Sequence, residues 1–280
     1  MQSPTRALSF LLLFPLTAAA DPIALPNFSF EEPPVTRDGA NPFGALPFIA
    51  DWDERNVGPL DEFDVDTGNF INTDPGQPDH ITNLHLVRAA FVSTLIGNAI
   101  RQELPRTYLA GRSYLFTIAV GKSHTFPAGD TELLEVALFY YFDRDVEQII
   151  ASTFVSGAQV STTSLVDVTV ISAIVEEGDL WAGRPIGVLV RPFTDDPDDD
   201  EGEGFWNLDY ARLIESPPPN ADGDSDGDVD LRDVAMLQDC LSQAQELGSL
   251  CFTFDLNSDL VLDLEDLALF LEDLGGPLDQ

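Results

Sequence analysis

Positive charge is scarce in this sequence. Its 280 residues include 13 Lys and Arg against 49 Asp and Glu, which gives a net charge of −36 and a pI near 4.1. Such a chain is repelled by the phosphates of nucleic acid and by anionic membrane surfaces, so we expect neither as a partner. After residues 8–16, no apolar run approaches the about 20 residues that a membrane span needs.

Cysteine and histidine are also scarce. The two cysteines are Cys240 and Cys251, and the three histidines lie far upstream at His80, His85 and His124. A Cys–His metal site is therefore not expected. In an exported chain, an even pair of cysteines at short separation predicts a disulfide bond.

The N-terminus has the order of a secretory signal peptide, which we assign to residues 1–20. Arg6 supplies the positive charge, residues 8–16 the apolar stretch, and residues 17–20 the small side chains before Asp21. A buried first strand or helix is the less favoured alternative. We expect a protein that is secreted, or held outside the cell or at the cell surface by a partner.

Residues 21–214 have the pattern of a β-rich domain. Hydrophobic content of 44% with 19 Phe is too high for a disordered chain and allows a sizeable core. The predicted strands are residues 27–31, parts of 84–92 and 114–120, 136–142, 148–154, 165–174, 186–191 and 205–214. Short strands at turn-punctuated intervals predict an antiparallel β-sandwich of the jelly-roll type. Residues 53–79 lack periodicity and are expected to form an irregular loop region.

Both ends of this domain resemble carbohydrate-binding modules. The domain resembles secreted bacterial β-sandwiches of the galactose-binding type in three places: the segment PNFSFE at 26–31, Trp52, and the segment WNLDYARL at 206–213. The resemblance implies carbohydrate binding. Aromatic rings stack on pyranose faces, and the rings that could do so here are Trp52, Trp181, Tyr140, Tyr141 and Trp206. Of these, Trp52 and Trp181 are the candidate ligand contacts, with Trp181 in a GDLWAG loop that should be partly exposed. The alternative for each is a place in the core.

Residues 215–220 (ESPPPN) predict a stiff proline-rich linker, and residues 221–280 carry two acidic loops of twelve residues. Both loops place oxygen side chains at positions 1, 3, 5, 9 and 12, which is the spacing of an EF-hand-type calcium loop. Position 7 offers a backbone carbonyl. The predicted ligands of two Ca²⁺ ions are Asp222, Asp224, Asp226, Asp228, Asp230 and Asp233 in the first loop, and Asp255, Asn257, Asp259, Val261, Asp263 and Asp266 in the second.

The coordination of calcium explains why the oxygen side chains have this spacing. The ion needs about six to eight oxygens at roughly 2.3–2.6 Å, so the chain must coil tightly around it. Without the ion the carboxylates of one loop repel one another, and folding is therefore coupled to binding. Gly227 fits the sharp turn at position 6, where the second loop has Leu260. A solvated acidic linker is the alternative, but the repeated register favours calcium.

Each acidic loop precedes a segment with helical periodicity. The apolar side chains are Val234, Leu237 and Leu241 in residues 231–241, and Leu267, Phe270, Leu271 and Leu274 in residues 264–274. These two stripes are predicted to face each other in a small core. Val229 and Leu262, at position 8 of the loops, are expected to bring the loops together.

The duplicated loop–helix unit resembles a type I dockerin domain over about residues 221–277. The resemblance implies a calcium-dependent module that binds a cohesin domain on a scaffold protein. It also implies partner contacts at loop positions 10 and 11, which are Leu231 with Arg232 and Leu264 with Glu265. Because Arg232 and Glu265 differ in charge, the partner is expected to be a cohesin-like or another extracellular protein.

Three functions stay open. The favoured one is a non-catalytic, secreted modular protein whose sandwich binds polysaccharide and whose tail binds calcium and a partner. The second is a glycoside hydrolase tethered by the dockerin-like tail and acting in polysaccharide catabolism. The third is a structural component of the extracellular matrix. No acid–base pair for glycoside hydrolysis stands out among so many carboxylates, which favours the first.

Overall fold

The computed structural model describes residues 21–38, 41, 44–55, 66–143, 146–193, 204–216, 221–223, 229–242, 251–257 and 261–274. The predicted signal peptide, residues 1–20, lies outside them. The chain has one compact unit within Ala20–Pro218 and another within Pro219–Gln280. In the described part of the chain, no helix has both the length and the hydropathy that a membrane span requires.

Antiparallel strands build the first unit. In its described part they are β1 (Asp21–Ile23), β2 (Ala45–Leu46), β3 (Asp53–Arg55), β4 (Thr67–Ile71), β5 (Arg88–Ser93), β6 (Ala99–Thr107), β7 (Ser113–Lys122), β8 (Leu133–Asp143), β9 (Val146–Ser156), β10 (Val166–Ile171), β11 (Pro185–Pro192) and β12 (Phe205–Ser216). They form a seven-stranded sheet in the order β10-β7-β12-β5-β4-β2, with β1 also paired to β12, and a five-stranded sheet in the order β3-β6-β11-β8-β9. The predicted antiparallel β-sandwich is confirmed.

One large core lies between the two sheets. Alternate residues of the longer strands enter it, such as Phe116 and Ile118 from β7 and Val136 and Leu138 from β8, all with no exposed surface. This period of two is the reason that the apolar runs predicted strands. Trp206 is also fully buried there.

Some predictions of strand and loop were wrong. Residues 27–31 contain a turn instead of a strand, because Asn27 and Phe30 have left-handed backbone angles (φ +47° and +54°). Residues 53–79 are not irregular throughout, since they contain β3 and β4. Glu215 and Ser216, expected in the linker, are the end of β12. Strand β6 was not predicted, because a polar residue, Gln102, is one of its core-facing side chains and a proline, Pro105, lies within it.

The second unit contains two helices, α1 (Leu231–Ser242) and α2 (Leu264–Asp273). They confirm the helices that periodicity predicted. The buried core consists of Ala221, Leu237, Phe254 and Phe270, and Val229, Leu262 and other partly buried residues pack against it. The prediction that Leu271 belongs to this core was wrong, since it is 57% exposed. Phe254 takes a central place instead, with its ring centroid 6.0 Å from that of Phe270.

The predicted disulfide is confirmed. Cys240 near the end of α1 is bonded to Cys251, which directly precedes a short 3-10 turn, Phe252–Phe254. The bond connects α1 to the segment that leads into the second acidic loop. Closing so short a loop is worth about 3 kcal/mol in the chain-entropy picture of disulfide stabilisation.

Candidate functional site: the outer face of the five-stranded sheet and the paired acidic loops

The outer face of the five-stranded sheet carries a buried apolar patch. Residues that alternate with the core-facing side chains of β6, β8 and β11 point away from the sandwich core. Four of them form a separate cluster with an exposed fraction of 5% or less: Ala99, Ala137, Phe139 and Leu189. An outer sheet face is normally solvated, so this patch requires a cover.

Charged side chains from all five strands supply part of the cover. Asp53 lies 2.7 Å from Nε of Arg101, and Arg101 Nη1 contacts Glu147. Glu147 lies 4.0 Å from Nη1 of Arg191, whose Nε is 2.6 Å from Glu135. We call these five residues the ionic chain. With three carboxylates and two guanidinium groups, it carries one net negative charge.

The contact between Arg101 and Glu147 shows that this face is concave. Strands β6 and β9 are three strand spacings apart, about 14 Å in a flat sheet, where perpendicular side chains could not meet. The β8–β9 pairing has register shifts between Leu138 and Phe139 and between Tyr141 and Asp143. Such bulges bend a strand. The end of the β8–β9 hairpin therefore curls over the apolar patch.

Tyr141 completes the cover at the hairpin end. It is paired with Glu147 across the hairpin, packs against the apolar patch, and has its ring centroid 5.9 Å from the guanidinium carbon of Arg101. Burial raises the pKa of Tyr141, with Arg101 opposing the rise, so the phenol is neutral. Burial lowers the pKa of Arg101, but hydrogen bonds to Asp53 and Glu147 outweigh it and the pKa is raised.

Exposed aromatic rings lie toward the other end of this face. Phe154 of β9 lies opposite Glu135 of β8 in the strand pairing and is 42% exposed. Phe193 is 49% exposed. Their ring centroids are 4.6 Å apart. Tyr141 lies six residues farther along β8 than Glu135, beyond the bulge between Leu138 and Phe139. The face thus offers ring surfaces at both ends and planar hydrogen-bonding groups between them.

The two tryptophans predicted from the sequence lie elsewhere. Trp52 is 5% exposed, packs against Phe30 at a centroid distance of 5.1 Å, and donates from Nε1 to the carbonyl of Asn27. Its ring belongs to the core, so we assign it no ligand contact. Trp181 is partly exposed and meets Tyr108 edge to face at 5.1 Å. A sugar contact at Trp181 stays a prediction.

Sequence reasoning named Tyr141 as a possible sugar contact but missed the ionic chain that shares its face. A usable signal was present, because arginine or glutamate alternates with apolar residues at Arg101 in β6, Glu135 in β8 and Arg191 in β11. Alternation indicates which charges share a face of one strand. It does not indicate which strands are neighbours, and that information was needed to join these charges into one site.

Asp209 is a buried carboxyl on the other sheet. It is fully buried, and burial raises its pKa to about 7. Its oxygens accept hydrogen bonds from the backbone N–H groups of His85 (2.6 Å) and Tyr210 (2.7 Å). The His85 ring stacks on Tyr210 at 4.3 Å. Asp209 therefore fastens the segment around His85 to the seven-stranded sheet and is not accessible to a substrate.

In both acidic loops the carboxylate at position 12 accepts hydrogen bonds from backbone N–H groups of its own loop. Asp233 accepts from the N–H groups of Gly223 and Asp230, both at 2.7 Å. Asp266 accepts from the N–H groups of Asn257 (3.2 Å) and Asp263 (2.9 Å). The donors occupy position 2 or 3 and position 9 of each loop. The two loops thus share one closing geometry, as their common spacing predicts.

Each loop also caps the helix that follows it. Asp230 accepts from the N–H of Arg232 at 2.7 Å, and Asp263 accepts from the N–H of Glu265 at 2.7 Å. These are N-cap hydrogen bonds, which begin the helices directly after loop position 9. The four predicted partner-binding residues therefore lie in the first turns of α1 and α2. All four are exposed, Leu231 at 78% and Leu264 at 76%.

The two loops offer carboxylate and carbonyl oxygens, which are the ligands that calcium prefers. Asp224, Asp226, Asp228 and Asp259 lie outside the described residues, and among those described no group of three or more His, Cys, Asp or Glu is placed to hold a metal. Asp233, Asp255 and Asp266 are fully buried, while Arg232 is the only Lys or Arg in residues 219–280. One guanidinium cannot neutralise three buried carboxylates, so the residues fit a divalent cation.

Comparison with known proteins supports the fold of the sandwich. No protein-family model and no curated protein matches the sequence. A Stig cyclase from Fischerella sp. TAU, solved with an indole compound, has a TM-score of 0.55 and 17% identity and covers 71% of this chain and 99% of its own. An apo cyclase from Fischerella sp. has a TM-score of 0.51 and 16% identity, covering 71% and 98%.

Carbohydrate-binding β-sandwiches are also among the similar structures. A CBM22 xylan-binding domain from Paenibacillus barcinonensis has a TM-score of 0.37 and 10% identity, and covers 59% of this chain and 86% of its own. At such identities the likeness to the cyclases shows the fold alone. The comparisons therefore establish a shared β-sandwich fold and assign the chain to no family.

Proposed function

We propose that this protein is secreted, modular and non-catalytic. Its sandwich binds carbohydrate on the concave outer face, and its C-terminal unit folds around calcium and attaches to an extracellular protein. The carbohydrate part rests on the aromatic rings and ionic groups that share the concave face. The calcium part rests on the common closing geometry of the two loops.

The concave face fits the chemistry of a sugar chain. Pyranose rings have apolar C–H faces that pack on aromatic rings, and hydroxyl groups that need hydrogen-bond partners. Tyr141 and Phe154 supply ring surfaces toward opposite ends of the β8–β9 pair, and the guanidinium and carboxylate groups of the ionic chain both donate and accept.

Binding to a panel of soluble polysaccharides, measured by affinity electrophoresis, tests this part. Phe154→Ala and Tyr141→Ala should each weaken retardation several-fold, because each removes a ring surface. Phe126→Ala is the matched control, since Phe126 is 59% exposed and contacts Phe205 of the other sheet. Equal retardation of all variants, or none by any polysaccharide, would refute carbohydrate binding on this face.

Calcium is expected to supply the positive charge that residues 219–280 lack. The ions would be held by the loop oxygens named above, with Asp233 and Asp266 ordering each loop through its backbone N–H groups. Bound calcium neutralises the loop carboxylates, and this chemistry couples ion binding to folding of the unit.

Equilibrium dialysis should find two calcium ions per chain. Asp233→Ala and Asp266→Ala should each lower the stoichiometry to one, because each loop loses its closing carboxylate. Asp74→Asn, an exposed carboxylate in the sandwich, is the charge-matched control and should leave it at two. A wild-type chain that binds no calcium would contradict the assignment.

The exposed leucines are proposed as the attachment surface. Leu231 and Leu264 occupy equivalent places at the starts of α1 and α2 and are more than three-quarters exposed. Residues 219–280 contain 16 Asp and Glu against one Arg. A partner with an apolar patch bordered by basic residues would complement this unit, and a cohesin-like protein is the proposed partner.

The glycoside hydrolase alternative requires an accessible carboxylic acid. Asp209 has the raised pKa that a general acid needs, but it has no exposed surface. Burial thus argues against a catalytic role for it. Release of reducing sugar from the same polysaccharide panel would support the enzyme, and failure to bind any polysaccharide would support the structural alternative.

A further inference from the structure

Two arginines on the concave face are anchored in the same way. Arg101 gives its Nε to Asp53 of the neighbouring strand at 2.7 Å, and Arg191 gives its Nε to Glu135 at 2.6 Å. Each pair is electrically neutral. In both arginines the Nη1 group is the one directed at Glu147.

Glu147 therefore occupies a carboxylate position between two anchored guanidinium groups. Its side chain is 16% exposed, contacts Arg101 directly and lies 4.0 Å from Arg191. Guanidinium groups with fixed orientation are the preferred protein partners of carboxylates, because their N–H donors match carboxylate geometry.

The backbone that carries Glu147 is less regularly paired than the backbone that carries its partners. Glu147 pairs with Tyr141 between the two bulges of the β8–β9 hairpin, near its end. A bulge leaves the hydrogen-bond ladder locally interrupted, so bending there breaks few bonds. The register of β6 with β11 is regular around Arg101, and that of β8 with β11 is regular around Glu135.

We propose that the sugar bound on this face is acidic, and that Glu147 is an internal stand-in for its carboxylate. This inference rests on the proposed carbohydrate-binding function. A uronic acid would place its carboxylate at the Nη1 groups of Arg101 and Arg191, while Glu147 turns out into solvent. The ring would then pack against Tyr141.

The exchange is balanced in charge. The charges of the Arg101–Asp53 and Arg191–Glu135 pairs sum to zero. One further carboxylate gives the face a single negative charge, whether that carboxylate belongs to Glu147 or to the ligand. A net charge of −36 repels long polyanions. Short acidic oligosaccharides, at an ionic strength that screens this repulsion, are therefore the suitable probes.

Isothermal titration at about 0.15 M salt, with a galacturonic acid trisaccharide and a neutral galactose trisaccharide, tests the inference. Glu147→Gln should bind the acidic probe at least tenfold more tightly than wild type, because the internal competitor has lost its charge. Adding Arg191→Gln should remove that gain. Glu103→Gln is the matched control, since Glu103 is an exposed carboxylate of β6 outside the ionic chain.

A second measurement uses the unmodified protein. The acidic trisaccharide should speed backbone hydrogen exchange at residues 147–150, because Glu147 leaves its partners, whereas the neutral one should not. Unchanged or weaker binding by Glu147→Gln, or equal exchange with both probes, overturns the acidic-ligand inference. If the neutral probe alone binds, carbohydrate binding stands and this inference fails; if neither binds to any variant, both fail.

Discussion

Burial governs the chemistry of single residues in this protein, and Asp209 is the clearest case. A carboxyl removed from water holds its proton more tightly, and this effect exceeds the opposing effect of the two N–H groups that point at it. The same principle applies to the ionic chain, where burial alone would lower the pKa of Arg101 and the paired carboxylates reverse the direction.

Asp209 should make the sandwich less stable as pH rises. Its pKa is about 7 in the folded protein against 3.8 ordinarily, so between these values the folded state holds a proton that the unfolded state has lost. The contribution of Asp209 to the free energy of unfolding is fully present below pH 3.8 and is lost as pH rises toward 7. The loss is at most about 1.4 kcal/mol per pH unit and on the order of 4 kcal/mol in all.

Urea unfolding between pH 4 and 7.5 measures this loss. The stability difference between wild type and Asp209→Asn should shift in favour of the variant as pH rises, because asparagine does not titrate. Asp74→Asn serves as the control and should run parallel to wild type. Parallel curves for Asp209→Asn as well would show that Asp209 ionises normally in the fold.

At the scale of elements, a tight contact in the described part of the second unit joins the first loop to the turn before the second loop. A Cβ atom at Gly223 would lie 2.3 Å from Cζ of Phe254, whose ring is fully buried. Glycine is therefore needed at loop position 2 for space. This contact, the disulfide and the residues at loop position 8 connect the two loop–helix units.

Gly223→Ala should destabilise the second unit by about 1–3 kcal/mol, because the methyl group overpacks against Phe254. The change can be followed as a higher calcium concentration at the midpoint of helix formation by circular dichroism. Gly178→Ala is the control, since no atom lies within 4 Å of its added Cβ. Equal midpoints for both variants would show that the Phe254 contact relaxes without cost.

Elements with a strong local period were predictable, and others were not. Helices α1 and α2 and strands β7, β8, β9 and β11 follow from apolar spacing. Residues 27–31 also alternate, but they form a turn because Asn27 bonds through its side chain to the backbone of Glu32 and Ala50. Such hydrogen bonds depend on chain segments that local periodicity does not report.

At the scale of the whole molecule, the two units draw their stability from different sources. The sandwich buries a large core between its sheets, whereas the described core of the second unit centres on four buried residues. So small a core is marginal without a covalent or ionic link. The disulfide supplies one link, and the proposed calcium ions supply the other.

Removal of calcium should therefore affect one unit only. All three tryptophans, Trp52, Trp181 and Trp206, lie in the sandwich, so their fluorescence reports on that unit alone. A chelator should leave the melting curve followed by tryptophan fluorescence unchanged, while making residues 219–280 much more sensitive to protease. A protease pattern that is identical with and without chelator would oppose calcium-dependent folding.

The sequence by itself determined what depends on neighbours along the chain: the strands of strong period, both helices, the disulfide and the register shared by the acidic loops. Only the tertiary structure decided which side chains meet across strands. It placed Trp52 in the core, and it brought Glu147 onto Arg101, 46 residues away. Periodicity assigns a residue to a face, but strand order and sheet curvature decide which faces and charges come together.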